Sequence, residues 1–332
     1  MKQPTPNPMV SVLVVSYNTK DILRNCLQAL LANSTGVLME VLVVDNDSMD
    51  GSAAMVHDEF PDVRLIDNHV NSGFAAANNQ AYRVAEGDYI LLLNPDAYVR
   101  EGSVANAVAF MEQTPECGLC GGKIISPEGR LEPSARRFPS VRSKLLTISG
   151  ISGKHPDSPI LNRHEFGGFK HDRPMEVDWV PGTFTIIRRS MLETIGFFDE
   201  RFYLYYEETD LCRRAKKAGW KVFFIPTAEV MHIGGACSKT RKEKTFDEGA
   251  SQVLSFRLRS ECLYYRKNHG ASMLLATTGL ELFWNLLIFI KNLAVPSKEA
   301  QRKRSASIGN GRQILKALRD TRFGAVAPPT PW

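Results

Sequence analysis

The sequence has little that would stabilise a small secreted protein through disulfides. Its six cysteines are scattered, and only Cys117 and Cys120 form a C-x-x-C pair. Without a second pair a zinc site has little support, so we expect ordinary thiols with no metal or disulfide role. The first residues show no secretory signal. A reducing cytoplasm is therefore the expected location.

Strong net charge and a dinucleotide-binding motif are also missing. The formal net charge is +5, which is too small to indicate a nucleic-acid partner by itself. No G-x-G-x-x-G follows the first apolar run, which argues against a nicotinamide-dependent dehydrogenase. Apolar residues make up 43% of the chain and charged residues 23%, the proportions of a soluble globular protein with a sizeable core.

Strand and helix patterns alternate through the first hundred residues. Apolar, β-branched runs predict buried strands at Val10–Ser16, Glu40–Asp45, Val63–Asp67 and Tyr89–Leu93. The segments between them have helical spacing, as in Asp21–Ala32. This order predicts an α/β fold with a mostly parallel central sheet and right-handed crossovers.

The second part of this region is less regular. Trp179–Arg188 and Trp220–Ile225 have the composition of two more strands. Thr209 is predicted to cap a helix that ends near Ala218. Gly150–Asp172 has no clear period, so we expect a long surface loop there that covers an acceptor site.

Small polar residues follow three of the predicted strands, at Ser16–Asn18, Asp45–Ser48 and Asn94–Asp96. Ligands of parallel α/β sheets bind outside the carboxyl ends of the strands, so these residues are expected to converge on one site. A carboxylate at a strand end, as in Asp96, suits a hard divalent cation. A β-turn around Pro95 explains the same residues without a metal.

An acidic cluster, Glu207, Glu208 and Asp210, lies near the start of a predicted helix. Favourable placement of acids at a helix N-terminus is one explanation. The preceding tyrosines favour another, since aromatic rings around a carboxylate raise its pKa towards that of a general base. His232 follows on the next strand pattern and is either a structural histidine or a metal ligand.

A cation and a base together suit one reaction class. Transfer of a glycosyl group from a nucleotide diphosphate requires charge stabilisation on the leaving group, which a divalent cation supplies. It also requires a base that deprotonates the acceptor hydroxyl. A direct displacement of this kind inverts the anomeric centre.

These motifs resemble glycosyltransferase family 2, the inverting enzymes of the GT-A fold. The matching residues are Val14-Val15-Ser16-Tyr17-Asn18, Val43-Val44-Asp45-Asn46, Asn71-x-Gly73-Phe74-Ala75, Asn94-Pro95-Asp96, Trp179-Val180-Pro181-Gly182, Gly196-Phe197-Phe198-Asp199 and Glu207-Glu208-Thr209-Asp210. They occur in the family's order and cover about residues 10–240. The Asn-Pro-Asp form, followed by Pro133–Pro139, is most similar to the bacterial rhamnosyltransferase branch.

The resemblance implies a nucleotide-sugar site. Ser16, Asn18 and Asp45 are then expected to contact the nucleoside. Asn71 and Gly73 are expected near the nucleotide or diphosphate. The remaining nucleotide-sugar residues are Asn94, Trp179 and Gly182, of which the last two line the pocket for the donor sugar and the acceptor.

The resemblance also implies a metal site and a base. Asp96 and His232 are expected to bind Mg²⁺ or Mn²⁺. Asn94 stands where many members have an acid, so one carboxylate ligand is lost. Glu208 is expected to be the catalytic base, with Glu207 and Asp210 as alternatives.

The implied reaction moves L-rhamnose from dTDP-L-rhamnose to a hydroxyl of a lipid-linked cell-surface glycan, such as an O-antigen. One alternative keeps the mechanism but uses a UDP-hexose or UDP-N-acetylhexosamine donor. Another is a non-catalytic scaffold that binds nucleotide sugar.

The segment 241–326 lies beyond these motifs, and we expect it to form a helical, membrane-associating extension. Within it, Ser272–Ile290 has a single charged residue, Glu281, and is nearly as long as a membrane span. Thr278, Glu281, Asn285 and Asn292 nevertheless follow helical spacing and form a polar stripe. Such a stripe favours a helix in the membrane interface, or packed on the catalytic domain, over a spanning helix.

Basic residues follow the apolar segment. From Lys298 to Arg322 there are eight Lys or Arg residues against Glu299 and Asp320. This excess suits an anionic membrane surface, so we expect peripheral binding to the cytoplasmic face of the inner membrane. Residues 1–8 and 327–332 are expected to be disordered, which leaves 9–240 as the predicted GT-A domain.

Overall fold

The computed structural model describes residues 9–234 and 252–329. It divides into two compact units. A sheet unit contains residues up to 137, 169–199 and those from 208 to the first gap, and a helical unit contains residues 138–168, 200–207 and those from 252 onwards. The predicted N-terminal tail 1–8, the predicted boundary at 240 and the end of the predicted C-terminal tail lie outside the described residues.

The sheet unit is built on a ten-stranded sheet. In chain order the strands are β1 Val10–Ser16, β2 Met39–Asn46, β3 Arg64–Asn68, β4 Tyr89–Leu93, β5 Ala97–Val99, β6 Cys117–Ile125, β7 Leu131–Glu132, β8 Met175–Glu176, β9 Phe184–Arg188 and β10 Lys221–His232. Their order across the sheet is β3-β2-β1-β4-β9-β6-β10-β5, with β7 beside β6 and β8 beside β10.

The helices of both units follow in chain order. They are α1 Lys20–Asn33, α2 Ser52–Glu59, α3 Phe74–Val84, α4 Ser103–Gln113, α5 Val141–Ile148, α6 Ile151–Lys154, α7 Arg189–Ile195, α8 Glu207–Lys217, α9 Gln252–Lys291 and α10 Lys298–Asp320. Of these, α5, α6, α9 and α10 belong to the helical unit, and the chain passes from that unit to the sheet unit between Glu207 and Glu208.

The predicted α/β fold with a mostly parallel sheet is confirmed. β1 pairs in parallel with β2 on one side and with β4 on the other, and β2 pairs in parallel with β3. Every residue of β1 and β4 is buried, as expected for strands covered on both faces. The carboxyl ends of β1, β2 and β4 therefore lie side by side, which brings the three polar strand ends together.

β9 differs from its prediction in length and direction. It begins at Phe184 and runs antiparallel between β4 and β6. The earlier residue Trp179 instead forms an isolated bridge with Arg136. Because β9 is antiparallel to β4, its beginning lies at the same sheet edge as the end of β4.

Two further predictions were wrong at their boundaries. Thr209 does not cap α8, because the helix already begins at Glu207, directly after two left-handed residues. The segment 150–172 is not a continuous irregular loop, since it contains the short helix α6 and a 3-10 turn at Arg163–Glu165. β10 is longer than predicted, so His232 ends that strand.

Close packing explains why β6 contains glycines and still forms a strand. A Cβ atom on Gly121 would lie 2.6 Å from the Cβ of Val180, and one on Gly122 would lie 2.6 Å from the carbonyl oxygen of Ala228. Neighbouring segments thus approach the backbone at positions where any side chain would clash. The five described cysteines are free and buried, and Cys237 lies outside the described residues.

The helical unit has its own apolar core. It contains Phe202, Leu258, Tyr264, Leu274 and Ile314, which come from the 200–207 segment, α9 and α10. Gly270, with φ 84° and ψ 177°, breaks α9 into two helices. By length and composition alone, α9 is the one helix among the described residues that is long and apolar enough to cross a membrane.

Candidate active site

The loops after β1 and β2 are hydrogen-bonded to each other at the carboxyl edge of the sheet. The amide of Asn18 donates to Ser48 Oγ at 2.8 Å, and the amide of Met49 donates to Asn18 Oδ1 at 2.7 Å. Asn18 and Asp47 have left-handed φ values of 49° and 71°. Ser16 is buried, with its Oγ 2.9 Å from Thr19 Oγ1. Asn18 and Ser16 are therefore held in place by the loops themselves.

Asp45 offers a buried acceptor in this part of the edge. The residue is 1% exposed, and Oδ2 accepts a hydrogen bond from the amide of Ser48 at 2.9 Å. Oδ1 is buried and accepts no hydrogen bond from the residues that the structure describes. Burial raises the pKa of Asp45, the hydrogen bonds from Ser48 oppose that shift, and the charges of Asp67 and Asp50 add to it. A buried acceptor without a donor is costly, so a ligand with an N–H group suits this position.

Asn46 connects the β2 edge to the loop before α3. Its Nδ2 donates to Asn71 Oδ1 at 2.8 Å and to the carbonyl of Gly73 at 3.3 Å, while its Oδ1 accepts the amide of Ser72 at 3.0 Å. Gly73 has φ 85° and ψ 172°, a backbone conformation essentially confined to glycine. The predicted residues Asn71 and Gly73 thus sit at the N-terminus of α3. Asn46 itself was missed as a site residue, although it directly follows Asp45.

Asp96, which directly precedes β5, lies beside His232, the last residue of β10. β5 pairs with β10 so that Ala97 lies opposite His232. His232 Nε2 is 3.4 Å from Asp96 Oδ1, and its Nδ1 is 3.0 Å from Glu132 Oε2. Burial alone would lower the pKa of His232, but the hydrogen bonds and charges of Asp96 and Glu132 outweigh it and raise that pKa.

This pair fits a divalent cation with few protein ligands. A carboxylate oxygen and an imidazole nitrogen are both suitable donors. Among residues 9–234 and 252–329, no group of three or more His, Cys, Asp or Glu side chains is arranged to hold a metal. A cation here would therefore take its other ligands from a diphosphate and from water.

Glu132 is a site residue that the sequence did not reveal. It lies in the two-residue strand β7, a hundred residues before the histidine that it contacts. A carboxylate on the second nitrogen of a histidine fixes the ring orientation and the tautomer. No local pattern marks such a contact, because it depends on β7 and β10 both lying beside β6.

Asn94 and Gly182 lie at the same edge as Asp96. The amide of Asn94 donates to the carbonyl of Thr183 at 3.1 Å, and its carbonyl accepts the amide of Ala97 at 3.1 Å. The hydrogen bond from Ala97 to Asn94 closes the turn predicted around Pro95. Because Asp96 lies in this turn and beside His232, the turn does not exclude a metal site. A Cβ atom on Gly182 would lie 3.7 Å from the ring of Phe74, which is ordinary contact.

Trp179 is anchored beside this segment. Its Nε1 donates to the carbonyl of Arg137 at 3.0 Å, and the guanidinium of Arg136 lies 6.0 Å from its ring centroid. The ring is partly exposed. An indole that is held in this way and partly exposed presents a flat apolar surface, as the predicted role in a sugar pocket requires.

Strained backbone precedes the acidic cluster. Tyr205 and Tyr206 have φ values of 72° and 69°, which bulky residues rarely adopt. The ring of Tyr206 packs against Tyr264, with centroids 5.2 Å apart, in the helical unit. Burial raises the pKa of Tyr206, and its hydrogen bond to Glu261 adds to the rise. The ring of Tyr206 is thus held in the core of the helical unit, and the predicted shielding of a carboxylate in the acidic cluster stays a prediction.

The three acids of the cluster have different surroundings. Glu207 and Asp210 are buried, whereas Glu208 is partly exposed. Cys212, one turn after Glu208 on the same helix face, has its thiol hydrogen-bonded to the backbone of Val180. This contact places the Glu208 face of α8 beside the segment that contains Trp179 and Gly182.

Asp210 forms an ion pair that organises the end of α7. Arg214 Nε donates to Asp210 Oδ2 at 2.9 Å. The same guanidinium donates to the carbonyls of Ile195, Gly196 and Phe197. Asp210 thus orients Arg214, which donates hydrogen bonds to the carbonyls at the end of α7. This is a structural role and involves no proton transfer.

The family model described as Glycosyl transferase family 2 matches residues 11–196. An N-acetylglucosaminyl-diphospho-decaprenol L-rhamnosyltransferase of Mycobacterium tuberculosis is 31% identical over 237 residues, which are 68% of this chain and 76% of that protein. Rhamnosyltransferase WbbL of Escherichia coli is 26% identical over 252 residues, covering 72% of this chain and 88% of that one.

Two solved structures share the fold. The mannosyltransferase PcManGT of Pyrobaculum calidifontis, in complex with GDP-Man and Mn²⁺, matches with a TM-score of 0.53 and 16% identity, over 96% of this chain and 91% of that one. GalNAc-T7 with UDP, GalNAc and Mn²⁺ matches with a TM-score of 0.56 and 15% identity, over 97% and 58% of the two chains.

The Asp210–Arg214 pair predicts a stability defect that separates structure from catalysis. Replacing Arg214→Met leaves the fully buried Asp210 carboxylate without its counter-charge, which costs about 3–5 kcal/mol. Urea unfolding measures the loss. The double variant Asp210→Asn with Arg214→Met should recover part of it, because the uncompensated charge is gone. Equal stability of the Arg214→Met variant and the wild type would contradict this role.

Proposed function

The chain belongs to glycosyltransferase family 2, and from that membership we propose an inverting transfer of L-rhamnose from dTDP-L-rhamnose to a hydroxyl group of a lipid-linked cell-surface glycan. That the chain is a glycosyltransferase follows from the family. The observation that carries the reaction class is the Asp96–His232 pair, which lies at the same sheet edge as the buried acceptor of Asp45.

The rhamnose donor is proposed from the relatives. Two of them are named rhamnosyltransferases, and one name specifies a sugar carried on a lipid diphosphate. In this chain, Asp45 Oδ1 is the group for the imide N–H of a thymine base. Asn18 and Ser16 shape the same nucleoside site, and Asn71 and Gly73 place amide groups at the N-terminus of α3 for the diphosphate.

Thymine and uracil present the same imide N–H, so the Asp45 site also suits a UDP-hexose or a UDP-N-acetylhexosamine. One fold relative was solved with UDP. A donor with either base uses the same nucleotide-binding residues. The sugar pocket around Asn94, Trp179 and Gly182 then determines which nucleotide sugar is the donor.

Asp96 and His232 are proposed to hold Mg²⁺ or Mn²⁺. Both fold relatives were solved with Mn²⁺. A bound cation supplies charge stabilisation for the departing diphosphate. Glu132 orients His232, and Asn94 takes the place of an acid, so the protein contributes two direct ligands.

Glu208 is proposed as the catalytic base. It is partly exposed, whereas Glu207 and Asp210 are buried, and Asp210 is already paired with Arg214. A base must be within hydrogen-bond reach of the acceptor hydroxyl, and a partly exposed residue beside the segment of Trp179 and Gly182 suits that requirement. Glu208 then takes the hydroxyl proton as the new glycosidic bond forms on the face opposite the leaving diphosphate.

We place the enzyme at the cytoplasmic face of the inner membrane as a peripheral protein. A lipid-linked acceptor is held in a bilayer, whereas nucleotide sugars are dissolved in the cytoplasm. The transfer therefore takes place at the surface of the membrane.

The donor assignment is tested by turnover across a nucleotide-sugar panel. Consumption of dTDP-L-rhamnose, UDP-glucose and UDP-N-acetylglucosamine is measured with Mg²⁺, with Mn²⁺ and with EDTA. We expect metal-dependent turnover of dTDP-L-rhamnose. Turnover of a UDP-sugar alone would reassign the donor, and tight donor binding without any turnover would favour the non-catalytic scaffold.

The base assignment predicts a defect confined to one of two adjacent glutamates. Glu208→Gln removes the proton acceptor and should lower kcat by about 10²–10⁴-fold, with little change in the donor KM. Glu207→Gln, an equally conservative change at the next position, is the matched control and should retain activity. An active Glu208→Gln enzyme beside an inactive Glu207→Gln enzyme would transfer the role to Glu207.

The metal assignment predicts a pH-dependent affinity. A cation requires the neutral imidazole of His232, so Mn²⁺ binding should be weak below the raised pKa of this residue and should strengthen as the pH rises through it. Glu132→Gln removes a charge that raises this pKa, so the midpoint should move to lower pH. Calorimetric titration of Mn²⁺ at several pH values measures it, with His232→Gln as the control that loses the transition. An identical midpoint in Glu132→Gln and wild type would contradict the arrangement.

A further inference from the structure

The second half of α9, residues 271–291, turns its polar side inward. Glu281 is buried, and its Oε2 lies 2.7 Å from Lys144 Nζ on α5. Asn285 donates to the carbonyl of Glu281 at 2.8 Å, and its Oδ1 accepts Asn310 Nδ2 of α10 at 3.3 Å. The polar stripe seen in the sequence is therefore used inside the helical unit.

A buried ionic cluster fixes this orientation. Lys144 pairs with both Glu281 and Glu261, and the three side chains are 10%, 12% and 8% exposed. Burial alone would lower the pKa of Lys144, but the two carboxylates outweigh it and raise that pKa. Separating such buried charges is strongly destabilising. The helix therefore does not rotate to expose Glu281.

The opposite side of the same helix is apolar and exposed. Leu275, Phe283, Leu286, Leu287 and Ile290 are 53%, 55%, 52%, 41% and 55% exposed. At about 100° per residue they fall within an arc of about 120°, roughly opposite Glu281 and Asn285. Leu293, in the connection to α10, is 60% exposed and continues this row. A continuous exposed apolar row of this kind marks an interaction surface.

The adjoining helix α10 carries exposed positive charge. The exposed basic residues of α10 are Lys298, Arg302, Lys303, Arg312, Lys316 and Arg319. The two acids of α10 are already engaged, since Glu299 pairs with Lys303 at 2.6 Å and Asp320 with Arg259 at 2.7 Å. Glu299 is 78% exposed, but the six exposed basic residues outnumber it, so the net exposed charge of α10 is positive and complementary to an anionic surface.

We propose that the apolar row (Leu275, Phe283, Leu286, Leu287, Ile290 and Leu293) and the exposed basic residues of α10 form a docking face for an anionic lipid bilayer. The second half of α9 lies in the interface with its apolar side in the acyl region and does not cross the membrane. This inference rests on the proposed function, because it is the lipid-linked acceptor that calls for a membrane surface.

Packing in the helical unit opposes a spanning helix. α10 lies against α9, where a Cβ on Gly311 would be 3.9 Å from Leu282. A spanning α9 would carry the charged α10 and the Lys144 cluster into the hydrocarbon region, where charged side chains are costly. Interfacial binding leaves the basic residues at the level of the lipid headgroups.

Vesicle flotation of the full-length protein tests the docking face. We expect binding to vesicles of phosphatidylethanolamine and phosphatidylglycerol, and weak binding to vesicles of phosphatidylcholine alone. Charge screening by 0.5 M NaCl should weaken the binding to the anionic vesicles. The double variant Phe283→Glu and Leu287→Glu should lose about tenfold or more of the binding. Ile160→Glu, at a residue that is also in the helical unit and 62% exposed, is the matched control and should bind normally.

Each remaining outcome has a defined meaning. Equal binding of the double variant and the wild type, or no binding to anionic vesicles, would overturn the proposal. Resistance of bound protein to alkaline carbonate extraction would also overturn it, in favour of a spanning helix. Turnover of nucleotide sugar with a water-soluble acceptor should be unchanged in the double variant. Loss of turnover in all proteins alike would instead point to a failure of the proposed function.

Discussion

The candidate site depends on the parallel pairing of β1 with both β2 and β4. In this register Ser16 lies opposite Asp45, and Leu13 lies opposite Leu92. The three strands therefore end together, and the polar residues that follow them lie at that edge. A slip of one residue would turn each strand's side chains to the other face of the sheet, so the buried runs that fix the register also fix the site.

Side chains from segments far apart in the chain also lie at this sheet edge. Antiparallel β9 brings Gly182 to the end of β4, and β10 brings His232 to Asp96. Asp45 has a buried acceptor oxygen, and Glu208 is the partly exposed acid of its cluster. These are the groups to which the proposed function assigns the nucleobase, the diphosphate, the cation and the acceptor.

Features that depend on neighbouring residues in the chain could be predicted from the sequence, whereas contacts between distant segments could not. β1 and β4 are continuous apolar runs, so their bounds were predicted as observed. The contacts of Glu132 with His232 and of Arg214 with residues 195–197 depend on strand order and helix packing, which leave no local pattern. The polar stripe of α9 was visible in the sequence, but its partner Lys144 lies in α5, far from α9 along the chain. The packing of Tyr206 against Tyr264 left no local pattern either, because Tyr264 belongs to a distant helix.

The most direct test of the account is a crystal structure with dTDP and Mn²⁺, in which the anomalous signal locates the metal. The account predicts Mn²⁺ bound by Asp96 and His232, with Glu132 still on the second histidine nitrogen and the thymine imide N–H on Asp45 Oδ1. Metal bound elsewhere, or a base placed away from Asp45, would contradict it.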